Sequence, residues 1–168
     1  MQFFKNNTFR LIEVNITFTY KRTNKIIEGT LIYRKEDHSF DFEPMRSSDF
    51  TILIGYLNIT FDSHTRAARQ IWGLNSYDSW QHKTLQKPVS FKGDLLLDAS
   101  IKIESGEAER IIEVDTWSTF YDKQSGWICI GHPEYHLAEI AIEFASSTIA
   151  ILENYTLKAI WLKPHFVT

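Results

Sequence analysis

The chain has 168 residues, of which 43% are apolar and 23% charged. This is the make-up of one globular domain with its own core, and it excludes a disordered chain. The formal net charge of −3 argues against a nucleic-acid partner, whose binders present a basic patch that displaces counterions. The single cysteine, Cys129, excludes an intrachain disulfide and fits a reducing, cytoplasmic compartment.

The opening MQFFKNNTF lacks the sustained apolar run of a secretory signal. Phe9–Tyr20 then alternates, with Ile12, Val14, Ile16, Phe18 and Tyr20 on one side, and is expected to form a half-buried strand. Lys21–Lys25 reads as a turn. Ile26–Arg34 reads as the return strand, with Ile27, Leu31 and Tyr33 inward. His38–Glu43 puts Phe40 and Phe42 on one face, and Pro44 ends it by removing a donor.

Phe50–Asp62 reads as one long strand. Its run Ile52-Leu53-Ile54 suggests burial on both faces, and Gly55 suggests a bulge or a close backbone approach. Asp62–Thr65 is a turn, and Thr65–Gly73 a further strand ending near Trp72, though its Ala67-Ala68-Arg69-Gln70 core also suits a helix. Asn75–Pro88 is irregular. It is expected either to hold a short helix capped by Ser76 or Asp78, or to be a loop pinned by Tyr77, Trp80 and Leu85.

Leu95–Ile103 alternates again, and Ser105–Glu107 is a glycine-containing turn. Glu109–Pro133 is expected to be two strands joined by a turn at Asp122–Gly126. Ile112, Val114 and Phe120 fall on one parity, and Glu113, Asp115, Trp117 and Tyr121 on the other. Successive side chains of a strand point to opposite faces. One face is then core-like, while the other mixes carboxylates with large rings. Glu109, Glu113, Asp115, Trp117 and Tyr121 are therefore the expected partner-binding residues, since rigid aromatics anchor interfaces and acids attract basic partners.

Pro133–Phe144 suits a short helical turn followed by a strand. Thr148–Leu152 and Leu157–Leu162 form a closing hairpin, with Ile149, Ile151, Leu157, Ala159 and Trp161 on one face. The expected fold is thus mostly β: one domain over residues 1–168, an antiparallel sandwich or open barrel of about ten strands with at most one or two short helices. The most apolar later stretch, Ala138–Leu152, carries Glu139 and Glu143 and is too short to span a bilayer, so no membrane partner is expected.

Cys129, His132 and His136 have the spacing C-x2-H-x3-H, but a closed zinc site needs a fourth ligand and a second pair is missing. HPEYH is not the metalloprotease pattern, which places glutamate directly after the first histidine. The sequence shows no phosphate-binding glycine loop or nucleophile elbow. No cofactor, metal or catalytic set is expected.

Two segments carry a resemblance. One is IWGLNSYDSWQHKTLQKP, with Trp72, Gly73, Tyr77, Trp80 and Pro88. The other is GWICIGHP followed by AIEFASSTIAILENYTLKAIWLKP. Together they resemble small cytosolic immunity proteins of bacterial polymorphic-toxin and contact-dependent growth-inhibition systems. The resemblance implies a protein that binds a cognate toxin domain, often a nuclease, and blocks it without doing chemistry. The alternative is a lipocalin-like barrel holding a small apolar ligand among its many aromatic side chains.

Overall fold

Alternation of apolar and polar side chains places most of the strands. The computed structural model describes residues 15–111 and 117–168. In chain order the described strands are β1 (Phe18–Arg22), β2 (Thr30–Arg34), β3 (Ser39–Glu43), β4 (Phe50–Ile54), β5 (Leu57–Phe61), β6 (Ala68–Leu74), β7 (Gln81–His82) and β8 (Phe91–Leu97). They continue with β9 (Ala108–Arg110), β10 (Thr119–Tyr121), β11 (Ile128–Gly131), β12 (Ile140–Ala145), β13 (Thr148–Glu153), β14 (Thr156–Leu162) and β15 (His165–Val167). A single turn of 3-10 helix, Tyr77–Ser79, follows Ser76, whose side chain makes no capping bond. No described helix is long and apolar enough to cross a membrane.

The strands form two sheets that pack together without closing into a barrel, a β-sandwich as expected. The eight-stranded sheet runs β1-β8-β12-β13-β14-β11-β10-β7, and the seven-stranded sheet β15-β2-β3-β6-β5-β4-β9. Neighbours are mostly antiparallel. Four pairs are parallel: β7 with β10, β8 with β12, β2 with β15 and β4 with β9. Each joins strands far apart in sequence, which the chain reaches only after crossing between sheets.

The main core fills the space between the sheets. Phe18, Leu31, Tyr33, Phe40, Phe42, Phe50, Ile52, Ile59 and Phe61 from one side of the alternation are all but inaccessible to water. Full burial of such side chains stabilises by roughly 1.5–3 kcal/mol each. Trp80, from the irregular segment, closes one end of this core against Tyr33 at 4.7 Å and Tyr121 at 5.3 Å between ring centroids. The loop pinned by Tyr77 and Trp80 is thus present together with the short helical turn.

A second, smaller core lies on the outer face of the eight-stranded sheet. Cys129, Ala141, Ile149, Ile151, Ala159 and Trp161 are covered there by Leu85, Trp127 and Tyr135. Asp122 accepts from the backbone N–H of Leu85 at 3.0 Å, and Lys83 meets Glu134 at 3.6 Å, so the two covering loops are tied down and to each other.

Four expectations are corrected. Phe50–Asp62 is a tight hairpin rather than one strand: Ile54 pairs with Leu57, leaving Gly55 and Tyr56 as a two-residue loop. Gly55 has φ +61, the glycine-first arrangement of such loops. Only one face of β4 is buried, because Thr51 and Leu53 stay half-buried. At the closing hairpin, Leu157 leaves the face shared by Ala159 and Trp161 and joins the main core. The pairing shifts there from Ile151–Ala159 to Leu152–Leu157, and the extra residue turns β14 over. Lastly, β8 ends at Leu97. Ile101 and Ile103 still reach the core, but from an irregular segment.

Candidate functional site

The expected binding residues do not share one strand. Glu109 sits on β9, one of the two edge strands of the seven-stranded sheet among the described residues, and is exposed to solvent. Trp117 lies just before β10 in the other sheet's part of the chain, half-buried. Glu113 and Asp115 lie outside the described residues. The chain therefore changes sheets between Arg110 and Thr119, and the strand parity read across that interval does not carry through.

Tyr121 shows the consequence. It was expected outward, but its ring is 7% exposed and packs on Trp80, Tyr77 and Phe166. Burial pushes its phenol above the ordinary pKa, helped by Tyr77 and Asp122. Phe120, expected inward, is the half-buried neighbour, with the Lys83 ammonium over its ring. Tyr121 is a core residue, not a surface anchor.

Trp117 is half-buried and packs in part on the main core. Its ring lies against Gly131, where an added Cβ would stand 3.1 Å from Cε3. His132 meets it edge-on at 6.3 Å. Trp117 lines two clefts. The first, about 400 Å³, runs between the β4–β5 loop and β10, and is lined by Tyr56, Leu74, Ser76, Gln81 and Ser118 among others. The second, about 480 Å³, is lined by Ile111, His132, Glu153, Leu157 and Lys158.

The two sheets meet at this rim through β9. Ile111 donates its N–H to the Leu53 carbonyl at 3.0 Å, and Arg110 Nη1 donates to the Gly55 carbonyl at 2.6 Å. Arg110 so holds the hairpin loop that carries Tyr56. Tyr56 is 75% exposed and Leu74 54%. The acidic approach is Glu104, Glu107 and Glu109, all exposed; Glu107 accepts from the Glu104 N–H at 2.8 Å. Sequence reasoning singled out Trp117 and Glu109 but not Tyr56 and Leu74. The signal was the Gly-Tyr pair of the two-residue loop, hidden inside an apolar run.

The C-x2-H-x3-H residues do not converge. Cys129 is fully buried in the outer-face core, with its thiol 3.7 Å from the His132 carbonyl oxygen, while His132 and His136 are exposed. Burial pushes the thiol far up from its usual range. Among the described residues no three His, Cys, Asp or Glu side chains are grouped to hold a metal ion. No family model, no curated protein and no solved structure matches the chain.

Proposed function

We propose that this is a non-catalytic cytoplasmic binding protein: an immunity protein that seats on a cognate bacterial toxin domain and blocks it. The rim around Trp117 carries the reading. It joins a half-buried indole, the two clefts it lines, an exposed Tyr56 and Leu74, and an acidic outer strand. Aromatic side chains seated beside pockets are the usual anchors of protein interfaces. The acids of the β8–β9 turn and β9 favour a basic partner, such as a domain that acts on nucleic acid, and speed its approach. β9 also offers an outermost backbone for strand pairing. The ligand-carrier alternative has less support. Phe18, Phe40, Phe50, Phe61 and Trp80 fill the space between the sheets, and the sheets do not close.

The test is co-expression with the toxin domains encoded beside the gene. The chain should protect cells from one of them and co-purify with it. Trp117→Ala with Tyr56→Ala should weaken that complex by roughly a hundredfold, about 2.7 kcal/mol. A chain that protects against none of the neighbouring toxins overturns the proposal.

A further inference from the structure

The two clefts beside Trp117 differ in chemistry. The second contains Glu153, Lys158 and His132, whereas among the described residues no carboxylate, ammonium, guanidinium or imidazole lines the first. Its polar lining is hydroxyl and amide: Ser76, Ser79, Gln81 and Ser118, with Asn75 and Thr119 deeper in. Two aromatic side chains, Tyr56 and Trp117, flank it.

The deeper pair is already committed. Asn75 accepts from the Trp80 indole at 2.5 Å and donates to Thr119 at 3.2 Å. The outer residues have bonding capacity left. Gln81 Nε2 donates to Ser118 Oγ at 3.2 Å, which uses one of its two amide hydrogens and leaves the amide oxygen. Ser79 donates to the Ser76 carbonyl at 2.7 Å and can still accept. Gln81 and Ser79 are exposed.

A ligand for this cleft must bring many hydrogen bonds and no charge, because a charged group would lose water without gaining a counter-ion. It must also offer a flat apolar face to an indole or phenol ring. A sugar ring meets both needs: its C–H groups line one face, and its hydroxyls, each donor and acceptor, surround the edge. The cleft's volume of about 400 Å³ lies within the usual small-ligand range of roughly 300–1,000 Å³ and suits one or two such rings. We infer that the Tyr56–Trp117 cleft binds a neutral mono- or disaccharide, with the rings as platforms and Gln81, Ser118, Ser76 and Ser79 bonding to hydroxyls. The cleft shares Tyr56 and Trp117 with the proposed toxin-binding rim, but sugar binding needs no protein partner.

The experiment is ligand-observed NMR and calorimetry on the full chain with glucose, cellobiose, maltose, lactose and N,N′-diacetylchitobiose. At least one should bind saturably, with a dissociation constant near the millimolar end of the affinity scale. Gln81→Ala lies on a solvent-exposed two-residue strand, so it should fold normally and weaken binding by roughly tenfold. Trp117→Ala should abolish binding, and Trp117→Phe should retain part of it. Glucose 6-phosphate should bind no more tightly than glucose. No saturable binding of any of these sugars, binding unaffected by both the Gln81 and Trp117 changes, or tighter binding of the phosphate would each overturn the inference. None of these outcomes bears on whether the chain protects against a toxin.

Discussion

Lys158 on β14 donates to the carboxylate of Glu139, whose side chain has no exposed surface. The other oxygen of Glu139 accepts from the His136 N–H at 2.9 Å, and its backbone carbonyl accepts from the Tyr135 hydroxyl at 3.0 Å. One buried carboxylate thus fastens the segment after β11 onto the sheet. Removing Lys158 leaves Glu139 enclosed without a counter-charge, and removing Glu139 leaves Lys158 only the partly exposed Glu153, 4.0 Å away. Glu139→Gln and Lys158→Met should each lower unfolding free energy by about 3 kcal/mol. The double change should recover part of that loss, since no charge is then stranded. Urea midpoints of the four proteins provide the measurement.

Gly131 is expected to be hard to replace. Its φ is +116, and an added Cβ would stand 2.6 Å from the Lys158 carbonyl oxygen and 3.1 Å from the Trp117 ring. Gly131→Ala should cost about 3 kcal/mol through backbone strain and overlap. It should also move the indole N–H resonance of Trp117. Gly106 also has a positive φ, but nothing lies within 4 Å of its Cβ position. Gly106→Asn should therefore be mild, because asparagine tolerates the left-handed region.

Stability should fall on acidification. Asp122 is held below the ordinary carboxylate range, first by the N–H of Leu85 and then by those of Ser125 and Gln124. Asp62 is held down chiefly by its bond to Arg69, 2.7 Å away. A carboxyl whose folded pKa lies below its unfolded value adds stability above the unfolded value, about 3.9 for aspartate. That contribution disappears as pH drops through the folded pKa. The urea midpoint should thus be level from pH 7 to about pH 5 and decline below about pH 4. Asp122→Asn should flatten the decline and lower the plateau.

Cys129 should behave as a core residue. Its thiol is enclosed among Ala141, Ile149 and Trp161, and burial opposes the thiolate. Ellman's reagent should label the native protein no faster than it unfolds, and rapidly in urea. Fast native labelling would contradict the enclosed position.

How much the sequence disclosed depended on whether a strand ran unbroken. In β3, Phe40 and Phe42 alternate with Asp41 and Glu43 without interruption, and the buried face was legible at once. Parity counting assumes one continuous pleat, and a slip of one residue exchanges the faces. The count from Glu109 to Tyr121 crossed from one sheet to the other, so it placed Tyr121 outside and Phe120 inside. A single extra residue in β14 misplaced Leu157 for the same reason. The apolar run Ile52–Ile54 hid the hairpin at Gly55–Tyr56, and with it the exposed ring of the first cleft. Trp117 is half-buried against the core, and the clefts beside it come from segments too distant in sequence for spacing to connect.

The covering of Trp161 and Ile149 by Leu85, Trp127 and Tyr135 limits where a large visitor can land. The middle of the eight-stranded layer is roofed by its own loops, so docking flat upon it would require lifting them. The opposite layer shows water a weave of ion-paired Arg34, Asp41 and Glu43, side chains that surrender hydration reluctantly. Both broad flanks are thereby discouraged, which leaves the margin where the layers join as the place the proposed partner would use.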